Sequence, residues 1–193
     1  MKKFKLTSEF IVDISGVKLF RIKALIEFGN VKAGDLGGYI EKEENLSHMG
    51  DAWVSDDARI SGNAQVFGNA QVFGDAWVFG NAWVFGNAWV FGNARVSGNA
   101  RVSGNARVSG DAQVFGDARV SGDKDYAYAH GFGSCNRTTT FFRLKDGDVG
   151  VRCGCFYGTL AQFRDKVCET HGETKKAQEY LMLADLMEIR FKN

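Results

Sequence analysis

Proline is absent from this chain of 193 residues, and glycine, present 24 times, carries the punctuation instead. Cysteine is scarce. Four residues are too few and too clustered for a disulfide framework of this length, so a reducing cytoplasm is the expected setting. Excess charge of either sign is lacking. A formal net charge of +1 gives no global pull toward duplex nucleic acid or an anionic membrane, and no acidic surface that could mimic DNA. Long apolar runs are missing too. No stretch approaches the roughly 18 apolar residues of a membrane span, and no uninterrupted apolar segment follows the basic start Met1-Lys2-Lys3, so no secretory signal is expected. Histidine occurs only as His48, His130 and His171.

Twelve consecutive six-residue units run from Asp51 to Gly122 without an insertion. Their pattern is Asn/Asp-Ala-x-Val/Ile-Phe/Ser-Gly, broken once where Asp56 replaces the closing glycine. A unit this short cannot bury its own apolar face, so its neighbours must stack into a solenoid. Ala and Val stand two apart and share one face of a short strand, while x and Phe/Ser take the other. Gly-Asn or Gly-Asp then makes the corner, since both residue types tolerate unusual backbone angles.

Read as Val-Phe/Ser-Gly-Asn-Ala-x, the unit resembles the hexapeptide-repeat family. That resemblance implies a mainly β protein, a left-handed parallel β-helix with three hexads per triangular coil. Twelve hexads then give four coils, a column roughly 19 Å tall at about 4.8 Å per coil. Residues 1–44 read as an N-terminal capping segment with a hairpin across Ser15-Gly16. Residues 45–134 read as the solenoid, opening on the degenerate unit Asn45–Gly50. Residues 135–193 read as an α+β unit. In it a hairpin surrounds Lys145–Asp148, a helix begins at the capping box Thr159/Gln162, and a second helix follows Thr174. Open coils expose unpaired strand edges, so capping is the expected work of both terminal segments.

With Ala and Val inside, the x positions point outward, from Trp53 and Arg59 through to Arg119. They are correlated with their neighbours. Trp accompanies Phe in Trp77/Phe79, Trp83/Phe85 and Trp89/Phe91, whereas Arg95, Arg101, Arg107 and Arg119 each accompany Ser. Three successive hexads occupy three sides, so the Trp/Phe units form a belt, widened by Phe67 and Phe73, with Arg95, Arg101 and Arg107 one coil on. Arg119 should stack beyond Arg101. Soluble monomers seldom leave so large an aromatic patch in water. Burial by homo-oligomerisation is expected, and the family resemblance favours a trimer. Trp and Arg are also common anchors for a second protein, and an indole beside a guanidinium suits a small anionic nucleotide.

Other chemistry is thinner. Cys153, Cys155, Cys168 and His171 compose a conceivable zinc set, but the spacing matches no familiar finger, and packing is the simpler reading; no cofactor is expected. Hexapeptide-repeat acyltransferases use a histidine base on an acyl-CoA substrate, and the candidate here would be His130 in Ala129-His130-Gly131. The twelve units hold no histidine and no looped-out insertion, and three scattered histidines do not supply the ligands of the γ-class carbonic anhydrases. The segments Leu19–Leu25, Lys32–Leu46, Gly154–Phe163 and Thr170–Gly172 resemble both ends of a family of bacteriophage and prophage hexapeptide-repeat proteins. That resemblance implies a protein that acts in the host bacterial cytoplasm. The expected function is non-catalytic binding, inhibiting a host defence protein or sequestering a signalling nucleotide.

Overall fold

The computed structural model describes residues 1–133 and 137–192. Strands β1 (Phe4–Val12), β2 (Lys18–Ala24) and β3 (Leu36–Ile40) lead in. Twelve two-residue strands follow at intervals of six: β4 (Trp53–Val54), β5 (Arg59–Ile60), β6 (Gln65–Val66), β7 (Gln71–Val72), β8 (Trp77–Val78), β9 (Trp83–Val84), β10 (Trp89–Val90), β11 (Arg95–Val96), β12 (Arg101–Val102), β13 (Arg107–Val108), β14 (Gln113–Val114) and β15 (Arg119–Val120). Every third strand pairs in parallel, which makes a three-sided solenoid. One side is the run β3-β5-β8-β11-β14, the second is β4-β7-β10-β13, and the third is β6-β9-β12-β15. Below we name these the Trp77, Trp89 and Trp83 faces. Strand β3 and a bridge from Leu46 to Val66 begin one more coil, so the body has about five turns.

The repeat folds this way because each unit satisfies its backbone through the next coil. On the Trp83 face, Trp83 N–H donates to Ala100 C=O at 2.9 Å and Phe85 N–H to Val102 C=O at 2.9 Å. Every Ala and Val/Ile of the twelve units is buried to within 1 % of complete and lies in one continuous core. Close coil stacking then dictates glycine at the corner. Gly98 sits at φ +71°, and a Cβ there would meet Gly116 N at 2.8 Å. Gly-Asn and Gly-Asp make the turns as expected, and the asparagine side chains do a second job. Among the described residues, positive φ falls on most corner glycines and on Asp56 (φ 54°), and on no Asn. Asn side chains instead bond coil to coil, as in Asn63 to Asn81 (3.2 Å), Asn81 to Asn99 (3.3 Å) and Asn99 to Asp117 (3.2 Å).

The two ends need opposite chemistry. At the first coil the corner carbonyls point outward, and each finds a donor. Lys3 Nζ donates to Ala52 O (2.8 Å) and Gly50 O (3.1 Å). Tyr39 N–H takes Ala58 O, and Asn45 Nδ2 takes Ala64 O (2.8 Å) and Gly62 O (3.1 Å). At the last coil the N–H groups point outward and meet acceptors. Arg107 N–H donates to Asp123 Oδ1 (2.9 Å), Gln113 N–H to Thr140 Oγ1 (2.9 Å) and Ser121 N–H to Asp125 Oδ2 (2.9 Å). Lys3, Asn45 and Asp125 are all buried.

The hairpin at Ser15-Gly16 is β1-β2, antiparallel and continuous with the Trp77 face. Beyond the repeats, β16 (Tyr126–Phe132), β17 (Arg137–Arg143), β18 (Val149–Cys153) and β19 (Phe156–Thr159) form an antiparallel sheet. Helices α1 (Leu160–His171) and α2 (Lys175–Phe191) pack on it around a second core. Thr159 and Thr174 are their N-caps, as their positions imply. The domain boundary differs from the one expected. Strand β16 belongs to this sheet by pairing with β17, so the C-terminal sheet starts at Tyr126, before residue 135. Among the described residues no helix is long and apolar enough to cross a membrane.

Candidate functional site

Strands β8, β9 and β10 belong to three different sheets, so Trp77, Trp83 and Trp89 stand one on each face. The register sets an arginine one coil above each: Trp77 pairs with Arg95, Trp83 with Arg101 and Trp89 with Arg107. Each guanidinium folds back over its indole, with Cζ 5.9 Å, 4.6 Å and 4.9 Å from the respective ring centroids. Such stacks are worth about 0.5–1 kcal/mol where exposed. Trp83 and Trp89 remain 36 % and 40 % exposed, whereas Trp77 is half-buried, and its indole N–H donates to Ser61 Oγ at 3.3 Å.

Phenylalanines of the same face buttress the indoles. Phe67 stacks parallel on Phe85 (4.9 Å, 4°) and meets Trp83 edge-on at 5.9 Å. Phe73, Phe91 and Trp89 repeat the arrangement. Phe79 lies 4.8 Å from Trp77. The expected belt is therefore a girdle of three aromatic clusters, each roofed by an arginine. Among the described residues, Arg95, Arg101 and Arg107 have no carboxylate within ion-pair distance.

Three outward-facing residues are nonetheless covered. Trp53 is only 4 % exposed, because Phe28 of the N-terminal segment meets it edge-on at 5.4 Å and Gly37 lies against its ring. Ser61 and Ser97 are also buried, at 6 % and 4 % exposure. They share a column with the bulkier Phe79, one coil to either side of it. Arg119 does pair with Arg101, and the two charges diverge: Arg101 lies on Trp83, while Arg119 Nη1 turns to the carbonyls of Ala118 (2.8 Å) and Asn99 (3.0 Å).

The remaining candidates are dispersed. His130 is exposed on β16, with Nδ1 2.9 Å from Thr138 Oγ1. His48 has both ring nitrogens engaged: Nδ1 accepts from Lys3 N–H at 3.2 Å, so Nε2 carries the proton toward Glu43 Oε1 at 2.8 Å. Cys153, Cys155 and His171 line a cleft between the sheet and α1, together with Arg137, Lys166 and Tyr180. Cys153 Sγ lies 3.1 Å from Thr139 Oγ1, and Cys168 is exposed on α1 outside that cleft. Among the described residues no group of three or more His, Cys, Asp or Glu is arranged to hold a metal ion.

The family model described as YdcK Beta solenoid repeat matches residues 94–110 and 100–114, the units that carry Arg95, Arg101 and Arg107. The solenoid body is thus similar to a known β-solenoid repeat family. No curated protein matches the chain.

Proposed function

We propose that this protein is a non-catalytic binding scaffold, assembled from more than one copy, whose aromatic–arginine girdle engages an acidic surface on another protein. In the phage setting implied by the resemblance of the chain ends, that protein is a host defence factor. The observation that carries this reading is the set of three guanidinium groups held over indoles with no carboxylate partner among the described residues. The stacks hold three cations in fixed positions on partly exposed aromatic rings, a pre-ordered surface that suits a partner supplying the counter-charge. The clusters sit on three open faces and not in one enclosed chamber, which favours a protein over a nucleotide. A nucleotide is the second reading, and it rests on a cleft of about 650 Å³ bordered by Phe67 and Trp83 with Lys2 on its rim.

The test uses the face with the most exposed indole. Wild type and Trp89→Ala/Arg107→Ala are immobilised and presented with bacterial host lysate, and retained proteins are titrated singly against both forms. The reading requires an acidic protein whose affinity falls at least tenfold in the double variant, with unchanged circular dichroism, and weakens as salt is raised. Equal retention by the two forms would overturn it. Stoichiometric binding of a nucleotide that quenches tryptophan fluorescence would favour the second reading. Acyl-CoA binding that is lost in His130→Ala would favour an acyltransferase.

A further inference from the structure

The two ends of the Trp83 face carry opposite, unpaired charges. Below Trp83, a single 3-10 turn at Glu43–Asn45 sets Glu44 along a groove shared with Gln65, Phe67 and Trp83. Glu44 is exposed and has no hydrogen bond or ion pair among the described residues, whereas its neighbour Glu43 is held by Lys2 and His48, and Lys42, which shares a cleft with Glu44, turns its ammonium to Asn63 Oδ1 at 3.3 Å. Above Trp83, Arg101, Arg119 and Lys145 line one continuing groove. None of the three has a carboxylate partner among the described residues, and Asp117 beside them accepts a hydrogen bond from Asn99. Between the two charged ends lie Phe67, Phe85 and Trp83.

The register measures the spacing. Leu46, next to the Glu44 turn, pairs with Val66, and Gln65 pairs with Trp83, so Glu44 lies two coils below the indole. Trp83 pairs with Arg101 and Arg101 with Arg119, so Arg119 lies two coils above it. Each offset is about 10 Å at the spacing of parallel strands.

We propose that the Trp83 face docks a second copy of this chain, antiparallel, about a two-fold axis at the level of Trp83. A two-fold interface must be self-complementary, and this face is. The rotation brings Glu44 of each copy to Arg119 and Lys145 of the other, sets Gln65 opposite Arg101, and closes the two aromatic clusters on one another at the axis. Parallel alignment would place Glu44 on Glu44 and Arg119 on Arg119, which like-charge repulsion opposes. The aromatic centre supplies the burial, and the charges at the ends fix direction and register. The Trp77 face lacks this pattern, because Arg59 and Arg95 flank its indole below and above. The Trp89 face stays open for the partner protein, so self-association and partner binding can each fail while the other stands.

Light scattering after size-exclusion chromatography reads the outcome. Wild type is expected at twice the 21.2 kDa chain mass across the micromolar range, and Trp83→Ala at the single mass. Glu44→Lys alone and Lys145→Glu alone each weaken the dimer by about tenfold or more. Their equimolar mixture associates more tightly than either variant alone, because one contact of the mixed pair is the native one and the other again sets a cation at position 44 against an anion at position 145, opposed only by Arg119. Adding Arg119→Glu to Lys145→Glu deepens the loss, and Lys145→Glu alone serves should Arg119→Glu fail to fold. A monomeric or trimeric wild type would overturn the proposal. So would a mixture of folded Glu44→Lys and Lys145→Glu chains that stays as dissociated as its components.

Discussion

Replacing Lys3 by methionine tests the account of the solenoid's first coil. Lys3 is 1 % exposed, its ammonium bonds two corner carbonyls, and it lies 4.6 Å from the Phe28 ring centroid. Burial lowers its pKa from 10.5 to about 8, and the carboxylate of Asp51 restores part of the loss. The sign follows from proton counting. Below pH 8 both folded and unfolded chains hold the proton, so the group adds no slope, and the folded state bears the full cost of the buried charge. Between pH 8 and 10.5 the unfolded chain binds more protons, so stability rises with pH. The span corresponds to about 3 kcal/mol at roughly 1.4 kcal/mol per unit. Lys3→Met removes that slope and strands the carbonyls of Gly50 and Ala52, at about 1–3 kcal/mol for each unsatisfied group. Urea unfolding of both proteins at pH 7.5, 9 and 10.5 isolates the effect, since tyrosines, cysteines and other lysines titrate alike in the two. The gap should widen in favour of wild type by about 3 kcal/mol over that range. A gap that stays flat or narrows would refute the claim that this ammonium is desolvated at the end of the column.

The opposite end answers to acid. Burial pushes the Asp125 carboxyl up, but the Ser121 hydroxyl and the N–H groups of Ser121 and Gly122 outweigh it and hold the group below its ordinary 3.8. Its stabilisation is therefore complete above that value and lost as pH falls through the folded pKa. Asp125→Asn should cost about 1–3 kcal/mol at pH 7 and flatten the acid limb in urea titrations. Deleting residues 81–98 removes one whole coil and joins Gly80 to Asn99 in register. The shorter chain should keep its β circular dichroism and a cooperative melt. Deleting 81–97 instead shifts the junction by one residue, turns outward side chains inward, and should abolish folding.

The body of this molecule was legible because its information repeats. A period of six with Ala and Val two apart names the inward column, and a period of eighteen names the neighbour above and below. The pairings of Trp83 with Arg101, and of Arg101 with Arg119, follow from counting alone. What lay outside the repeat was harder to read. Trp53 obeys the outward pattern and is still buried, because residues 28 and 37 fold over it through contacts that no periodicity announces. Lys3, Asn45 and Asp125 each act once, at an end, so no pattern marks them. Lys3 reads as one of several basic residues near a terminus. The asparagine ladders were obscured for another reason. Gly-Asn is an ordinary turn signal, and the sequence does not separate a residue that bends the backbone from one that ties adjacent bends together.

The polarity of the column explains why two such different terminal units are required. In these parallel ladders the N–H groups of the outward residues point to the next coil, and the carbonyls of Ala and Val point to the previous one. The first coil therefore presents acceptors, and only donors close it: an ammonium, an amide nitrogen and a backbone N–H. The last coil presents donors and is closed by two carboxylates and a hydroxyl. Exchanging the caps would set acceptor against acceptor, and each buried clash would leave groups unsatisfied. End-to-end growth by a second copy meets a lysine and an asparagine already seated at one end and an antiparallel sheet at the other. The sides stay uncovered along the girdle, where Trp83 and Trp89 keep more than a third of their surface in water.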